Sequence, residues 1–216
     1  MKNPLTRTLV FVALFAAAFA LVEASVVIYL RSLYYPEGFA FPLKAISPSH
    51  LGLELARECA TIVMLYAIGA LAGRTSWERF GYFLFAFGLW DILFYAWLEL
   101  TIHWPSSLST FDILFLVPVP WIGPVWAPVA VSGVMILCGA LCAHRIQSSL
   151  PFHPGPLAFG VGIASTALIL LSFMIDTDAT LRGSAPKPYR WEMLIAGLIG
   201  YLIAYRLSCQ DGRSKP

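Results

Sequence analysis

Charged side chains are scarce in this sequence. Asp, Glu, Lys and Arg make up 12% of the 216 residues, whereas hydrophobic side chains make up 59%. Soluble domains carry roughly 25% charged residues, so the composition excludes a sizeable soluble domain. The formal net charge of +2 comes without a basic patch, which argues against a nucleic-acid partner. The composition therefore indicates an integral membrane protein surrounded by membrane lipid.

Short motifs for metal or redox chemistry are also missing. The sequence contains no HExxH, CxxC or histidine-box pattern. Three of the four cysteines lie within apolar runs, and no pair is placed for an extracellular disulfide. Cys138 and Cys142 share a helix face, where packing as small apolar residues is the better interpretation. A metal or catalytic site must therefore be assembled from Asp, Glu and His residues of separate segments.

Long apolar runs, by contrast, are abundant. Six are long enough for the ~20-residue helix that crosses a bilayer core of about 30 Å, and they cover approximately 8–30, 51–73, 80–100, 124–143, 156–175 and 191–207. We predict an all-α integral membrane protein with one polytopic domain over 1–216. The first run resembles a signal peptide, but it stays apolar as far as Leu30, which favours an uncleaved span.

The distribution of Lys and Arg sets the expected orientation. With the N-terminus in the cytoplasm, eight of the 14 basic residues lie on the inner side and six on the outer side. This predicts a multi-pass protein of the inner (plasma) membrane with both termini cytoplasmic. On that topology, ten of the 12 acidic residues lie in outer loops or in the outer half of the spans, the others being Glu78 and Asp211.

Three carboxylates on different spans fall at nearly one depth. At 1.5 Å per residue, Glu23 and Glu58 lie about 10 Å below the outer surface and Asp91 about 13 Å below it. A charge near the bilayer centre costs at least ~2.5 kcal/mol, so these side chains are expected to face one another rather than lipid. We predict a polar cleft that opens to the outer side, with Asp91 at its deep end.

Two polar stripes lead outward from these acids. Their members recur every four residues and so share a helix face: His50, Glu54 and Glu58 in the second span, and Asp91, Tyr95, Glu99 and His103 in the third. Arg57 lies beside the first stripe. An internal ion pair of Arg57 with a neighbouring glutamate is an equally simple explanation there, whereas the whole set favours a functional site.

The segment between the third and fourth spans is apolar, but it contains prolines at positions 118, 120, 124 and 128. Proline excludes a regular helix through 118–124, and backbone with unpaired polar groups is not tolerated facing lipid. We predict that about 105–122 forms a short interfacial or re-entrant helix, from Ser109 to about Val117, followed by a stiff turn over the cleft mouth. Asp112 can then face the cleft. Its DILF sequence repeats residues 91–94, and chance is the simpler explanation of that repeat.

The residue types of the cleft predict an enzyme first. Histidines and carboxylates are the usual ligands of iron, manganese and zinc, which favours a metal-dependent membrane enzyme acting on a lipid-like or amphipathic substrate. The predicted metal ligands are Glu23, His50, Glu54, Glu58, Glu99, His103 and Asp112, and the predicted catalytic residues are Arg57, Glu58, Asp91 and Tyr95. Without a metal, Asp91 or Glu58 is the candidate general acid.

Two other classes of function remain open. One is a non-catalytic subunit or assembly factor, whose partner is another membrane protein or further copies of this chain. The other is a proton- or cation-coupled transporter, because aligned acids within a membrane are typical of proton relays. The inner halves of the spans offer no matching acidic path, which argues against transport.

Overall fold

Long helices dominate the protein, and the computed structural model describes residues 4–44 and 46–212. The six long helices of this part are α1 (Pro4–Tyr34), α2 (Pro48–Ala72), α3 (Ser76–Ile102), α4 (Trp126–Gln147), α5 (Pro156–Met174) and α7 (Trp191–Asp211). A short helix, α6 (Thr177–Leu181), follows α5. Six helical stretches are long and apolar enough to cross a membrane, α5 and α6 being counted as one. The chain is therefore a multi-pass helical membrane protein, as its apolar runs predicted.

Side-chain caps set the starts of two helices. At the start of α2, Ser47 accepts a hydrogen bond from the backbone N–H of His50 at 3.4 Å. At the start of α3, Thr75 accepts from the N–H of Glu78 at 3.2 Å, and Glu78 in turn accepts from the N–H of Arg74 at 2.7 Å. This reciprocal arrangement satisfies backbone donors that a helix start leaves free. It ends the short turn that makes α2 and α3 antiparallel neighbours.

The central helix of the bundle is α3, which packs against α1, α2 and α4, while α5 packs on α7. Glycines bring α3 and α4 close together. A Cβ atom at Gly88 would lie 2.5 Å from the carbonyl oxygen of Ser132, and one at Gly139 would lie 2.4 Å from that of Gly81. Small residues allow two backbones to approach in this way. The contact at Gly88 places Ser132 beside the middle of α3.

The proline-rich segment differs from the prediction. It forms an antiparallel hairpin of β1 (Phe111–Phe115) and β2 (Trp121–Pro124), in which Asp112 pairs with Gly123. The predicted helix from Ser109 to Val117 is therefore wrong. The predicted non-helical backbone from Pro118 to Gly123 is confirmed.

The physical reason for the hairpin is pairing between segments. Prolines in the connecting loop prevent a helix from continuing, and Ile113 and Phe115 are residue types that suit a strand. Two paired strands satisfy backbone groups that a single extended segment would leave unpaired in apolar surroundings. The carbonyl of Thr110 also accepts from the N–H of Val125 at 3.0 Å. The capping preference of Ser109 or Thr110 is a weaker local effect than this pairing.

An apolar core fills the bundle beneath the hairpin. Its most buried members are exposed by 2% or less and include Val12, Ala16, Leu65 and Ala86. Trp90 and Phe115 belong to the same core. We call the end of the bundle that carries β1 and β2 the hairpin end. There α1 and α3 finish and α2 and α4 begin.

Candidate functional site

A cavity of about 60 Å³ lies at the hairpin end, between α1, α2, α3 and β1. A space of this size holds a few water molecules or a small polar group. Its ionisable and hydroxyl-bearing lining consists of Glu23, Arg31, Arg57, Glu58, Asp91, Tyr95 and Asp112. The structure thus brings the three carboxylates of equal predicted depth to one place, and it adds the aspartate of the hairpin.

Arg57 of α2 holds two glutamates. It forms a salt bridge with Glu23 of α1 and another with Glu54 at 2.7 Å. The hydroxyl of Thr61 donates to Glu23 at 3.1 Å. Both glutamates are buried, and breaking a buried pair from one side is strongly destabilising. These three charges therefore fix α1 against α2.

Glu58 connects α2 to the hairpin. Its Oε2 accepts a hydrogen bond at 2.8 Å from the backbone N–H of Leu116, the residue that follows β1. The side chain is buried, at 6% exposure, and it forms no salt bridge among residues 4–44 and 46–212. Glu58 therefore supplies an acceptor to the start of the proline-rich turn and keeps the hairpin over the cavity.

Arg31, near the end of α1, holds Asp112 of β1. The Nη2 atom of Arg31 lies 2.8 Å from Oδ1 of Asp112, and the hydroxyl of Tyr95 donates to Oδ2 at 3.4 Å. The guanidinium carbon lies 3.7 Å from the ring centroid of Trp104 and 4.7 Å from that of Phe39. Cations are attracted to aromatic faces at such distances. One arginine thus joins the end of α1 to the hairpin and to the segments that follow α1 and α3.

Asp91 is the deepest acid and has a different kind of partner. Ser132 of α4 donates its hydroxyl to Oδ2 of Asp91 at 2.9 Å. The close approach of α3 and α4 at Gly88, less than one turn earlier, makes this contact reachable. No basic side chain in the described ranges forms a salt bridge with Asp91. A neutral donor therefore holds Asp91 in place while its carboxyl group lines the cavity.

Carboxylates outnumber cations around the cavity. Arg57 and Arg31 engage three of the five acids, namely Glu23, Glu54 and Asp112. Within the described residues Glu58 and Asp91 form no salt bridge, although the charge of Arg57 also acts on Glu58. Like charges repel strongly in a low-dielectric interior, so bound protons or a bound cation must relieve the excess when the site is at rest.

Four of the predicted ligands do not line the cavity; one of them, Glu54, is buried in its salt bridge with Arg57. His50, Glu99 and His103 have exposed side chains and are not among the residues of the lining. His50 instead contacts the hydroxyl of Tyr34 at 2.6 Å. The stripes do not continue outward as one cleft, because the hairpin covers the acids and contributes Asp112. In the part of the chain that the structure describes, no three His, Cys, Asp or Glu side chains are grouped to hold a metal ion.

Sequence reasoning missed two residues of the site. Ser132 is a single hydroxyl in an apolar helix, and such a residue signals an interhelical hydrogen bond. Trp90 lines the cavity, is 4% exposed, and has a buried indole Nε1 without a hydrogen-bond partner among the described residues. Its position next to Asp91 gave no warning, because neighbouring residues of a helix point in different directions.

A second polar cluster lies at the opposite end of the bundle. Glu78 is 2% exposed and accepts from the side-chain amide of Gln147 at 2.9 Å, while Gln147 also donates to the hydroxyl of Tyr82 at 3.0 Å. These contacts join the start of α3 to the end of α4. Between this cluster and Asp91 the interior is apolar, with Ala86 fully buried. The two polar clusters are therefore separate.

Fold and site together define a class of protein: a multi-pass helical membrane protein with a buried arginine–carboxylate cavity at one end of its bundle. Comparison of the chain with protein-family models, curated proteins and solved structures gives no match. A function must therefore be argued from the chemistry of the cavity itself.

Proposed function

We propose that the protein is a membrane enzyme that transfers a proton to or from a lipid-like, amphipathic substrate, with Asp91 as the reacting group. The observation that supports the proposal is the polar cavity among the apolar helices at the hairpin end of the bundle. Ionisable side chains within membrane segments are costly and are typical of functional sites. Holding helices together does not require a buried acid such as Asp91, which forms no salt bridge within the described residues.

Asp91 suits proton transfer better than the other acids do. The salt bridges of Glu23, Glu54 and Asp112 give those carboxylates the role of holding helices and hairpin together. Within residues 4–44 and 46–212, the side-chain hydrogen bond of Asp91 comes from a neutral hydroxyl, that of Ser132. A carboxyl group placed within hydrogen-bond reach of a substrate typically contributes 10²–10⁴-fold to a rate. In this proposal, the hydrogen bond from Ser132 orients the carboxyl group of Asp91 toward the substrate.

The separation of the two polar clusters favours an enzyme over a transporter. A proton or cation that crosses the bundle needs polar groups along its whole path. Between Asp91 and Tyr82 the buried neighbours on α3 are apolar and include Ala86 and Trp90. A site that exchanges with one side of the membrane accords with this arrangement, and the orientation predicted from Lys and Arg assigns that side to the outer leaflet.

The proposal is tested by comparing envelope lipid extracts from cells that lack the gene and carry either the wild type or a variant. We expect Asp91→Asn to lower the turnover of the substrate species by at least about 100-fold. Glu99→Gln is the matched control, because Glu99 lies on the same helix but is exposed. A folded Asp91→Asn protein with the wild-type lipid profile contradicts the proposal. Wild-type cells whose profile equals that of the deletion favour a non-catalytic subunit.

A metal-dependent form of the same proposal uses a divalent ion to relieve the excess of carboxylates. Glu58 and Asp91 are then the first ligands, because neither forms a salt bridge with an arginine of the described residues. Elemental analysis of the detergent-purified protein tests this form. One or two equivalents of iron, manganese or zinc support it, provided that Glu58→Gln removes them. A metal-free protein with full activity excludes it.

The orientation is proposed from the Lys and Arg count and needs its own test. A reporter that is active only in the cytoplasm, fused to the C-terminus, is expected to be active. Full activity of a phosphatase that works only outside the cytoplasm, fused at the same place, would reverse the orientation and assign the cavity to the inner leaflet.

A further inference from the structure

Two buried N–H donors of the cavity have neither a hydrogen-bond acceptor nor an ion-pair partner within the described part of the chain. One is Nε1 of Trp90, and the other is Nη1 of Arg31, whose Nη2 is bonded to Asp112. Both side chains line the cavity. A third donor without a regular hydrogen bond, Nη1 of Arg57, is paired with Glu23 in a salt bridge. A donor that is buried without an acceptor loses its hydration and gains nothing in return. Each of the first two donors is therefore a point at which a ligand in the cavity can offer an acceptor.

The charges of the lining restrict what that acceptor can be. Four acids face two arginines: Glu23, Glu58, Asp91 and Asp112 against Arg31 and Arg57. A carboxylate or phosphate on the ligand would add negative charge to a site that already has an excess of it. An ammonium group cannot accept a hydrogen bond from an indole or a guanidinium. A carbonyl or hydroxyl oxygen accepts from both and adds no charge.

The remaining lining agrees with an apolar chain attached to this oxygen. Val27, Phe94 and Leu114 lie among the polar groups of the cavity wall. Binding sites for small molecules usually combine such apolar walls with a few placed polar groups. The volume of about 60 Å³ accepts an oxygen and the carbon atoms next to it. The polar end of the ligand is therefore small.

We infer that the cavity binds the uncharged oxygen, carbonyl or hydroxyl, of a lipid-like molecule, with Trp90 and Arg31 as its hydrogen-bond donors. The inference rests on the proposed function, because this oxygen marks the end of the substrate at which Asp91 acts. Donors fixed at the oxygen stabilise negative charge that develops on it during proton transfer.

The first test compares four probes with the wild-type protein in phosphatidylcholine nanodiscs. The probes share one chain length and are a long-chain methyl ketone, the corresponding alcohol, the corresponding carboxylic acid and the alkane, with affinities measured by native mass spectrometry. The ketone or the alcohol is expected to bind about tenfold more tightly than the alkane, as one or two added hydrogen bonds allow. Equal binding of the alkane, or tightest binding of the acid, overturns the inference.

The second test removes one donor. Trp90→Phe keeps an aromatic ring and deletes Nε1, so roughly three- to tenfold weaker binding of the ketone is expected. Trp121→Phe is the matched control, because Trp121 also has a buried Nε1 that finds no partner in the described part of the chain, but it does not line the cavity. Unchanged affinity of folded Trp90→Phe overturns the inference. If Trp90→Phe does not fold, the ranking of probes on the wild type still decides.

Asp91→Asn separates this inference from the proposed function. The amide keeps the size of the side chain, so the variant is expected to bind the ketone with near wild-type affinity while turnover is lost. If the wild type prefers the ketone or the alcohol but Asp91→Asn has normal turnover, the binding site is supported and the proposed role of Asp91 in catalysis is refuted. If Asp91→Asn loses turnover but the wild type shows no preference among the probes, the proposed enzyme is supported and the inferred class of ligand is refuted.

Discussion

The four residues DILF occur twice, at 91–94 and at 112–115, and they fold in two ways. The first copy is part of α3, and the second forms most of β1. Both copies bring their aspartate to the same cavity. A hydroxyl of Ser132 holds Asp91, whereas the guanidinium of Arg31 and the hydroxyl of Tyr95 hold Asp112. One aspartate is thus the candidate reacting group, and the other anchors the hairpin.

The comparison shows that surroundings decide the conformation of such a short segment. The helical copy lies within a 27-residue helix that contains no proline. The strand copy is followed by Pro118 and Pro120, which cannot continue a helix, and β2 offers it a partner. Preference for strand depends on such neighbours more than on the residues themselves.

Removal of the charge from the strand copy is expected to have the largest effect. Asp112→Asn keeps the shape of the side chain but leaves Arg31 without its buried counter-charge, so we expect the free energy of unfolding to fall by about 3 kcal/mol. Asp91→Asn, the matched change in the helical copy, removes no salt bridge and should cost about 1 kcal/mol or less. Thermal unfolding in one detergent compares the two. Equal losses of unfolding free energy in the two variants would contradict the assignment of Asp112 as the anchor of the hairpin and Asp91 as the reacting group.

The helical copy depends on the close approach of α4. A Cβ atom at Gly88 would lie 2.5 Å from the backbone oxygen of Ser132, so Gly88→Ala must push the helices apart and is expected to cost about 1–3 kcal/mol of unfolding free energy. Gly133→Ala is the control, because nothing lies within 4 Å of a Cβ at that position. A neutral Gly88→Ala variant would show that Ser132 does not need this contact to hold Asp91.

The strand copy depends on a smaller contact at its end. Glu58→Ala leaves the backbone N–H of Leu116 without its acceptor and should cost about 1–2 kcal/mol. Glu58→Gln retains an acceptor oxygen and should keep most of the stability. Hydrogen exchange of the hairpin amides reports the change, with faster exchange in Glu58→Ala alone. The same fast exchange in Glu58→Gln would mean that the negative charge, rather than the acceptor, holds the hairpin.

The smallest effect is expected at the outward continuation of the helical copy. Glu99 is exposed, so Glu99→Gln should change the free energy of unfolding by no more than about 0.5 kcal/mol and should leave substrate turnover unchanged. Assays of stability and turnover on the same preparation check both. A turnover defect in Glu99→Gln would show that the functional site extends beyond the cavity and includes the outer part of the stripe on α3.

The sequence was sufficient to predict the six apolar helices and the proximity of three acidic residues. Run length against bilayer thickness is a local property, and it indicated six apolar helices without reference to their packing. Depth and helical face indicated that Glu23, Glu58 and Asp91 lie together, and all three line the cavity. That prediction followed from the free-energy cost of a charged side chain facing lipid, because this cost makes the bundle interior the favourable place for such a side chain.

The hairpin and the division of roles among the acids depended on the three-dimensional fold. The pairing of Phe111–Phe115 with Trp121–Pro124 joins two segments across a turn, and its stability comes from hydrogen bonds that neither segment has alone. The partners of the aspartates lie far away in sequence: Arg31 for Asp112 and Ser132 for Asp91. Which acid pairs with a cation depends on the rotation of each helix and on distances of a few ångströms between helices. Composition, residue spacing and depth do not determine these distances.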